Sequence, residues 1–199
     1  MASAVGKAPV VRDAEGTRAR ILTAACMQFG ARGFANTGVR DIAADAGVNP
    51  ALVLRYFGSK EGVFRAALDQ SIFMDPVFEL EPATMGKKIV EIFLAANEMP
   101  SPLSMMILSA GDPTAHAISV RALDEKVIRP LADYLGGPDA EARAACLNLL
   151  WSGFLTAWKL LPIAPMGDER LHMIAAWLAD ATQAIVDGKF GPIGSPSAP

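Results

Sequence analysis

The stretch from Asp41 to Glu61 limits what this chain can fold into more than any other. Ile42, Ala43 and Ala46 recur at helical spacing and give a first short helix a buried face. Thr37 and Gly38, just before Val39-Arg40-Asp41, are both acceptable N-caps for it. Gly47 follows the last apolar residue, where a glycine can take the left-handed conformation that ends a helix without side-chain cost. Val48 can plug the space between helices, and Asn49-Pro50 restarts the chain: Asn is a strong N-cap and Pro is preorganised for the first helical position. The second helix, about Pro50 to Tyr56, is too short to persist alone. Val53 and Phe57, four residues apart, supply the stripe that holds it to its neighbours. Two short helices about a glycine turn make a helix-turn-helix, whose second helix enters the major groove of DNA.

The face opposite Val53 would carry Pro50, Ala51, Leu52, Leu54, Arg55 and Tyr56. That is apolar for a solvated surface and suits a major groove. Arg55 can donate to guanine, and Leu52 or Ala51 can touch thymine methyls. The Tyr56 hydroxyl can reach a phosphate. Ser59-Lys60-Glu61 opens a third helix, whose free amides and positive dipole end favour a phosphate, with Lys60 adding charge. Arg40 can serve a groove edge or the DNA backbone. The same residues would also serve as packing in any all-helical protein, with Arg55 an ordinary surface arginine. The glycine turn, the Asn-Pro restart and the Ser-Lys-Glu cap fall in register, and this favours DNA.

The run from Arg20 to Phe64 resembles the N-terminal domain of tetracycline-repressor-like (TetR-type) transcriptional regulators. The resemblance rests on Ile21-Leu22-Thr23-Ala24-Ala25, Phe29, Gly33-Phe34, Val39-Arg40-Asp41-Ile42-Ala43, Ala46-Gly47-Val48 and Tyr56-Phe57-Gly58-Ser59-Lys60-Glu61. It implies a helical N-terminal domain that binds DNA and a helical C-terminal domain that binds a small ligand and dimerises. By position it implies DNA contacts from Arg40, Asn49, Leu52, Leu54, Arg55, Tyr56 and Lys60, with Val53 and Phe57 in the core. Three residues depart from the pattern. Leu54 stands where the family often has tyrosine, Leu52 where it often has threonine, and Pro50 where polar residues are common. An operator sequence therefore cannot be borrowed from a relative.

A length of 199 residues, 52% of them hydrophobic, fits one or two domains with a sizeable core. The net charge of −3 is unevenly spread. Residues 1–61 carry eight basic and five acidic side chains, a net of +3, and the remainder carries ten basic and sixteen acidic, a net of −6. A basic head on an acidic body is the electrostatic footprint of a DNA binder. So small a positive charge implies weak binding per subunit and two heads acting together. Cys26 and Cys146 lie in apolar helical runs and are expected to be buried free thiols. Met1 to Val11 lacks the apolar core of a signal peptide, and no apolar run reaches the ~18 residues of a membrane span. The expected location is the cytoplasm.

The expected fold is all-α: a three-helix helix-turn-helix domain joined to a helical bundle. A flexible arm (1–12) precedes the DNA-binding domain (13–60), followed by an effector-binding and dimerisation domain (61–188) and a loose Gly/Pro/Ser-rich tail (189–199). The first helix should run from Asp13 or Glu15 to Phe29 and be ended by Gly30 and Gly33. A linking helix should run from Lys60 to about Met74. The C-terminal helices are expected near 83–98, 102–110, 113–135, 139–160 and 168–187, with Pro162 and Pro165 stopping the fourth.

The helix from Asp139 to Leu160 is apolar on more than one side, so both sides must be buried. Candidate lining of an effector cavity is Phe93, Met105, Met106, Leu108, His116 and Val120, together with Trp151, Phe154, Leu155 and Trp158. This set carries no strong charge, which points to a neutral hydrophobic or aromatic effector. Leu149, Ser152 and Thr156 on the same helix, with Trp177, Ala181 and Ala184 on the last, would form a four-helix interface between two subunits.

Nothing in the sequence points to catalysis. His116 and His172 are the two histidines, and neither belongs to a metal-binding His-x-x-x-His pair. Gly86-Lys87-Lys88 is no phosphate loop, because Glu81 and Lys88 replace the glycine and the hydroxyl residue it needs. No Gly-x-Gly-x-x-Gly and no Gly-x-Ser-x-Gly occurs. No metal or cofactor is expected. The sequence thus reads as a homodimeric, effector-responsive transcriptional regulator that binds a palindromic operator in double-stranded DNA, most simply as a repressor. The rival readings are a helical small-molecule carrier or sensor without specific DNA binding and, less favoured, a small helical enzyme.

Overall fold

The computed structural model describes residues 11–95, 101–161 and 168–189, and every element among them is helical. The expected arm up to residue 10, positions 96–98, Pro162, Pro165 and the tail from residue 190 lie outside the described residues. The helices are α1 (Val11–Arg32), α2 (Val39–Asp45), α3 (Pro50–Phe57), α4 (Lys60–Ser71), α5 (Asp75–Phe78), α6 (Met85–Ala95), α7 (Pro102–Ser109), α8 (Pro113–Leu123), α9 (Arg129–Leu135), α10 (Ala140–Leu155) and α11 (Asp168–Val186). Chain contacts divide into two compact units, one drawn from residues 1–71 and 100–119, the other from 72–99 and 120–199.

In the first unit α1 packs against α2, α4 and α7. Ile21, Ala25, Phe29, Ile42, Val63, Phe64, Ala67 and Leu68 are fully buried. Phe29 and Phe34 stack, and Phe64 meets both edge to face, with ring centroids 5.0–6.0 Å apart. Cys26 ties α1 to α4: its thiol reaches the Ala67 carbonyl at 3.6 Å and the Ser71 hydroxyl at 3.2 Å. Burial pushes that thiol up from its ordinary range. The first helix continues through Gly30 to Arg32, and Gly33 alone ends it, at φ 73°. One left-handed residue suffices, and a Cβ at Gly33 would lie 2.3 Å from the Leu108 carbonyl of α7.

In the second unit Met85, Ile89, Leu131, Ala144, Leu147 and Leu178 fill a core shared by α6, α9, α10 and α11. The buried polar side chains Trp151, Thr182 and Arg143 are paired. The Trp151 indole donates to the Thr182 hydroxyl at 3.0 Å. The Arg143 guanidinium donates to the carbonyls of Val186 at 3.0 Å, Leu135 at 3.5 Å and Gly136. Cys146, expected to be buried, is half-exposed, because its side of α10 faces away from this core.

Two helices expected to be regular carry a π turn, at Asp124–Ile128 and Thr156–Leu160. The first lies just before Pro130, whose missing N–H and bulky ring cannot fit a regular α ladder, so the chain widens one turn earlier. In the second, the Leu161 amide donates to the Thr156 carbonyl at 2.8 Å, and Leu161 then turns extended (φ −133°, ψ 73°) ahead of Pro162 in the sequence. Asp75-Pro76 and Glu81-Pro82 each open a single helical turn. Among the described residues no helix is long and apolar enough to cross a membrane.

The tightest approach in the second unit is at Gly86, where α6 crosses α11. A Cβ there would stand 2.2 Å from the Ala179 carbonyl, and the Gly86 amide donates to the Gln183 side chain at 3.0 Å. Gly86→Ala should therefore lower stability by about 1–3 kcal/mol. Gly16→Ala, exposed inside α1 with nothing near it, should raise stability by about 0.5–1 kcal/mol. Urea denaturation of the two variants should show midpoints moving in opposite directions.

Candidate functional site

The site begins at the start of α2. Gly38 caps that helix, with its amide donating to the Asp41 carboxylate at 2.8 Å, while Thr37 is buried and donates to the Gly33 carbonyl at 2.8 Å. Gly47 takes φ 64°, and the amides of Gly47 and Val48 fold back onto the carbonyls of Ala44 and Ala43 at 3.1 and 2.9 Å. The Asn49 side chain accepts from the Ala51 amide at 2.8 Å, and Pro50 occupies the first turn of α3. Each step answers a backbone group that the turn would otherwise leave bare.

Val53 is fully buried and anchors α3. Phe57, expected in the core, is only half-buried, and the Arg18 guanidinium of α1 lies 5.5 Å from its ring centroid. Outward, Arg40, Asn49, Ala51, Leu54 and Arg55 are exposed, Leu54 at 44%. Pro50, Leu52, Tyr56 and Lys60 are half-buried. Of the nine candidate DNA-binding residues, Arg40 lies on α2, Asn49 in the turn, Lys60 at the start of α4 and the other six on α3. Sequence reasoning missed the placement of Lys60, whose ammonium sits 4.2 Å over the Phe34 ring. It also missed Gly62, where a Cβ would stand 2.0 Å from the Phe57 carbonyl, so that α4 starts hard against the end of α3. Ser59 accepts from the Gly62 amide at 3.2 Å, and its hydroxyl, with the Glu61 amide, holds the Glu61 carboxyl below its ordinary range.

The expected effector set is divided between the two units. Phe93, Trp151, Phe154 and Trp158 meet in the second, with Phe93 5.9 Å from Trp151 and 6.3 Å from Phe154, and Phe154 5.6 Å from Trp158. Leu155 packs partly buried beside them, and Val120 is 51% exposed. Met105, Met106, Leu108 and His116 belong to the first unit, where both methionines are buried and Leu108 and His116 are exposed. Of the dimer candidates, Leu149 (71%) and Trp177 (61%) are strongly exposed, while Ser152, Thr156, Ala181 and Ala184 are half-buried. Met173, at 66% exposure one helical turn before Trp177, was missed although its spacing was readable. Among the described residues no three metal-ligating side chains converge.

Comparison with known proteins agrees with this geometry. Residues 21–67 match the family model described as bacterial regulatory proteins, tetR family, and residues 83–186 match the tetracyclin repressor-like C-terminal domain. The chain is 55% identical over 51 residues to the HTH-type transcriptional regulatory protein RaaS of Mycobacterium tuberculosis, covering 26% of this chain and 24% of that one. It is 38% identical over 61 residues to the HTH-type transcriptional repressor SCO4008 of Streptomyces coelicolor, covering 31% and 32%. These matches thus span a third or less of the relatives' own length. Among solved structures, a TetR-family regulator of Streptomyces coelicolor aligns with a TM-score of 0.53 and 28% identity over 92% of this chain and 99% of that one. NalD of Pseudomonas aeruginosa, the secondary repressor of the MexAB-OprM multidrug efflux pump, aligns with a TM-score of 0.64 and 21% identity over 85% and 96%.

The cap at the start of α3 is the cheapest part of the site to remove. Asn49→Ala should cost about 0.5–2 kcal/mol, read as a lowered melting temperature with helical content retained below the transition.

Proposed function

Because this chain belongs to the tetracycline-repressor family of bacterial regulatory proteins, we propose that it is a dimeric repressor acting in the cytoplasm, released from a palindromic operator by a small hydrophobic effector. The observation that carries the reading is α3 itself. It is an eight-residue helix whose inner side is fixed by Val53 and whose outer side turns Ala51, Leu54 and Arg55 to the exterior, with Arg40 exposed on α2. Arg55 donates to a guanine edge, Tyr56 and Lys60 contact phosphates, and Arg40 positions the head on the backbone.

Pairing follows from the exposed apolar side chains of α10 and α11. Leu149, Met173 and Trp177 are each more than half exposed, and a second copy of the chain would cover them. Two heads so joined would enter successive major grooves about 34 Å apart. The aromatic group of Phe93, Trp151, Phe154 and Trp158 favours a neutral, flat effector, which acts by preferring a state that fits DNA poorly.

A gel-shift titration with the chain's own upstream region tests the whole reading. Specific, salt-sensitive retention supports it, and sequence-blind retention would favour the carrier reading instead. Arg55→Ala should weaken operator binding by about 1–3 kcal/mol and relax base preference at one position; an equal loss on random duplex would remove its base-reading role. Trp177→Glu should shift the protein from dimer to monomer in light scattering, and a mass unchanged from the parent's would place the interface elsewhere.

A further inference from the structure

The outward side of α3 has almost no capacity to hydrogen-bond. At about 100° per residue, an inward Val53 sends Ala51 and Arg55 directly outward and sets Leu54 and Leu52 on either flank. Exposure follows that order, with Ala51, Leu54 and Arg55 exposed and Leu52 half-buried. Pro50 carries no N–H, and the Asn49 side-chain oxygen Oδ1 is committed to the Ala51 amide. Arg55 is therefore the one polar side chain on the outermost strip, bracketed by apolar groups. The net +3 of residues 1–61 makes duplex DNA the occupant of this face, which rests on the function proposed above.

We propose that this chain recognises its operator mainly through thymine C5-methyl groups packed against Leu54, Ala51 and Leu52, with Arg55 reading a single guanine in each half-site. The thymine methyl is the one apolar group that a base pair presents in the major groove. Leucine neither donates nor accepts a hydrogen bond. It gains by covering a methyl and loses where it strips water from the exocyclic amine of adenine or cytosine. The leucine at 54 thus acts as a determinant of base choice.

The full-length protein and the duplex it enriches from a random-sequence pool test this. Replacing thymine by deoxyuridine removes only the methyl. Binding by fluorescence anisotropy at fixed salt should weaken about three- to fivefold per contacted thymine. Changing the T·A pair to C·G should weaken it further, and 5-methylcytosine at that position should recover part of the loss. Leu54→Ala should erase the deoxyuridine effect at one position of each half-site and leave it at the others. An enriched duplex bound equally well with uracil throughout overturns methyl reading and leaves the regulator reading intact. A pool from which no sequence is enriched overturns both. The base-analogue measurements use the parent protein, so they decide the matter whether or not Leu54→Ala folds.

Discussion

Eight residues of helix do not hold themselves in water, so whatever this protein does with DNA depends on how α3 is braced. Three restraints act together. Val53 is buried against the unit behind it, Asn49 closes the first turn, and the Gly47 bend fixes the angle at which α2 hands over to α3. A fourth comes from the far end, where α4 starts against the Phe57 carbonyl with only Gly62 small enough to allow it. Together they set the position of the outward side chains, and a slip of a single residue, about 100° of helix rotation, would carry Leu54 into the place of Val53.

Much of this was legible in the sequence, because helix ends are written in single residues. Gly47, Asn49-Pro50 and Ser59 each announce a backbone event, and the structure places those events where the letters stand. The all-helical architecture followed from periodicity and proline punctuation. Other features were not legible because they depend on partners distant in sequence. Gly30 and Gly33 look alike as letters, yet only Gly33 ends α1, where the carbonyl of Leu108 closes in. Cys26 and Cys146 sit in similar apolar runs, yet one faces the core and the other does not. Lys60 reads as a bare charge until its ammonium is found over the Phe34 ring.

The effector set shows the same limit. Methionines and aromatics were grouped by kind, and kind does not reveal which body a helix joins. Met105 and Met106 are spent on the first unit, while the four aromatic rings gather in the second. Pro130 is the opposite case: the expected helix over 113–135 passes through it unremarked, and the chain accommodates it by a widened turn that lets the helix continue.

Arg143 has a consequence for the end of the chain. Its buried guanidinium is held by backbone oxygens from the close of α9 and from Val186, the last residue of α11. Fraying at Val186 would take from a buried cation the carbonyl that accepts from its Nη1, which costs more than losing one bond between neutral groups. The final turn of α11, ordinarily the loosest part of a domain, is thereby tied to the first turn of α10, and truncation before Val186 would unsettle residues some forty positions upstream.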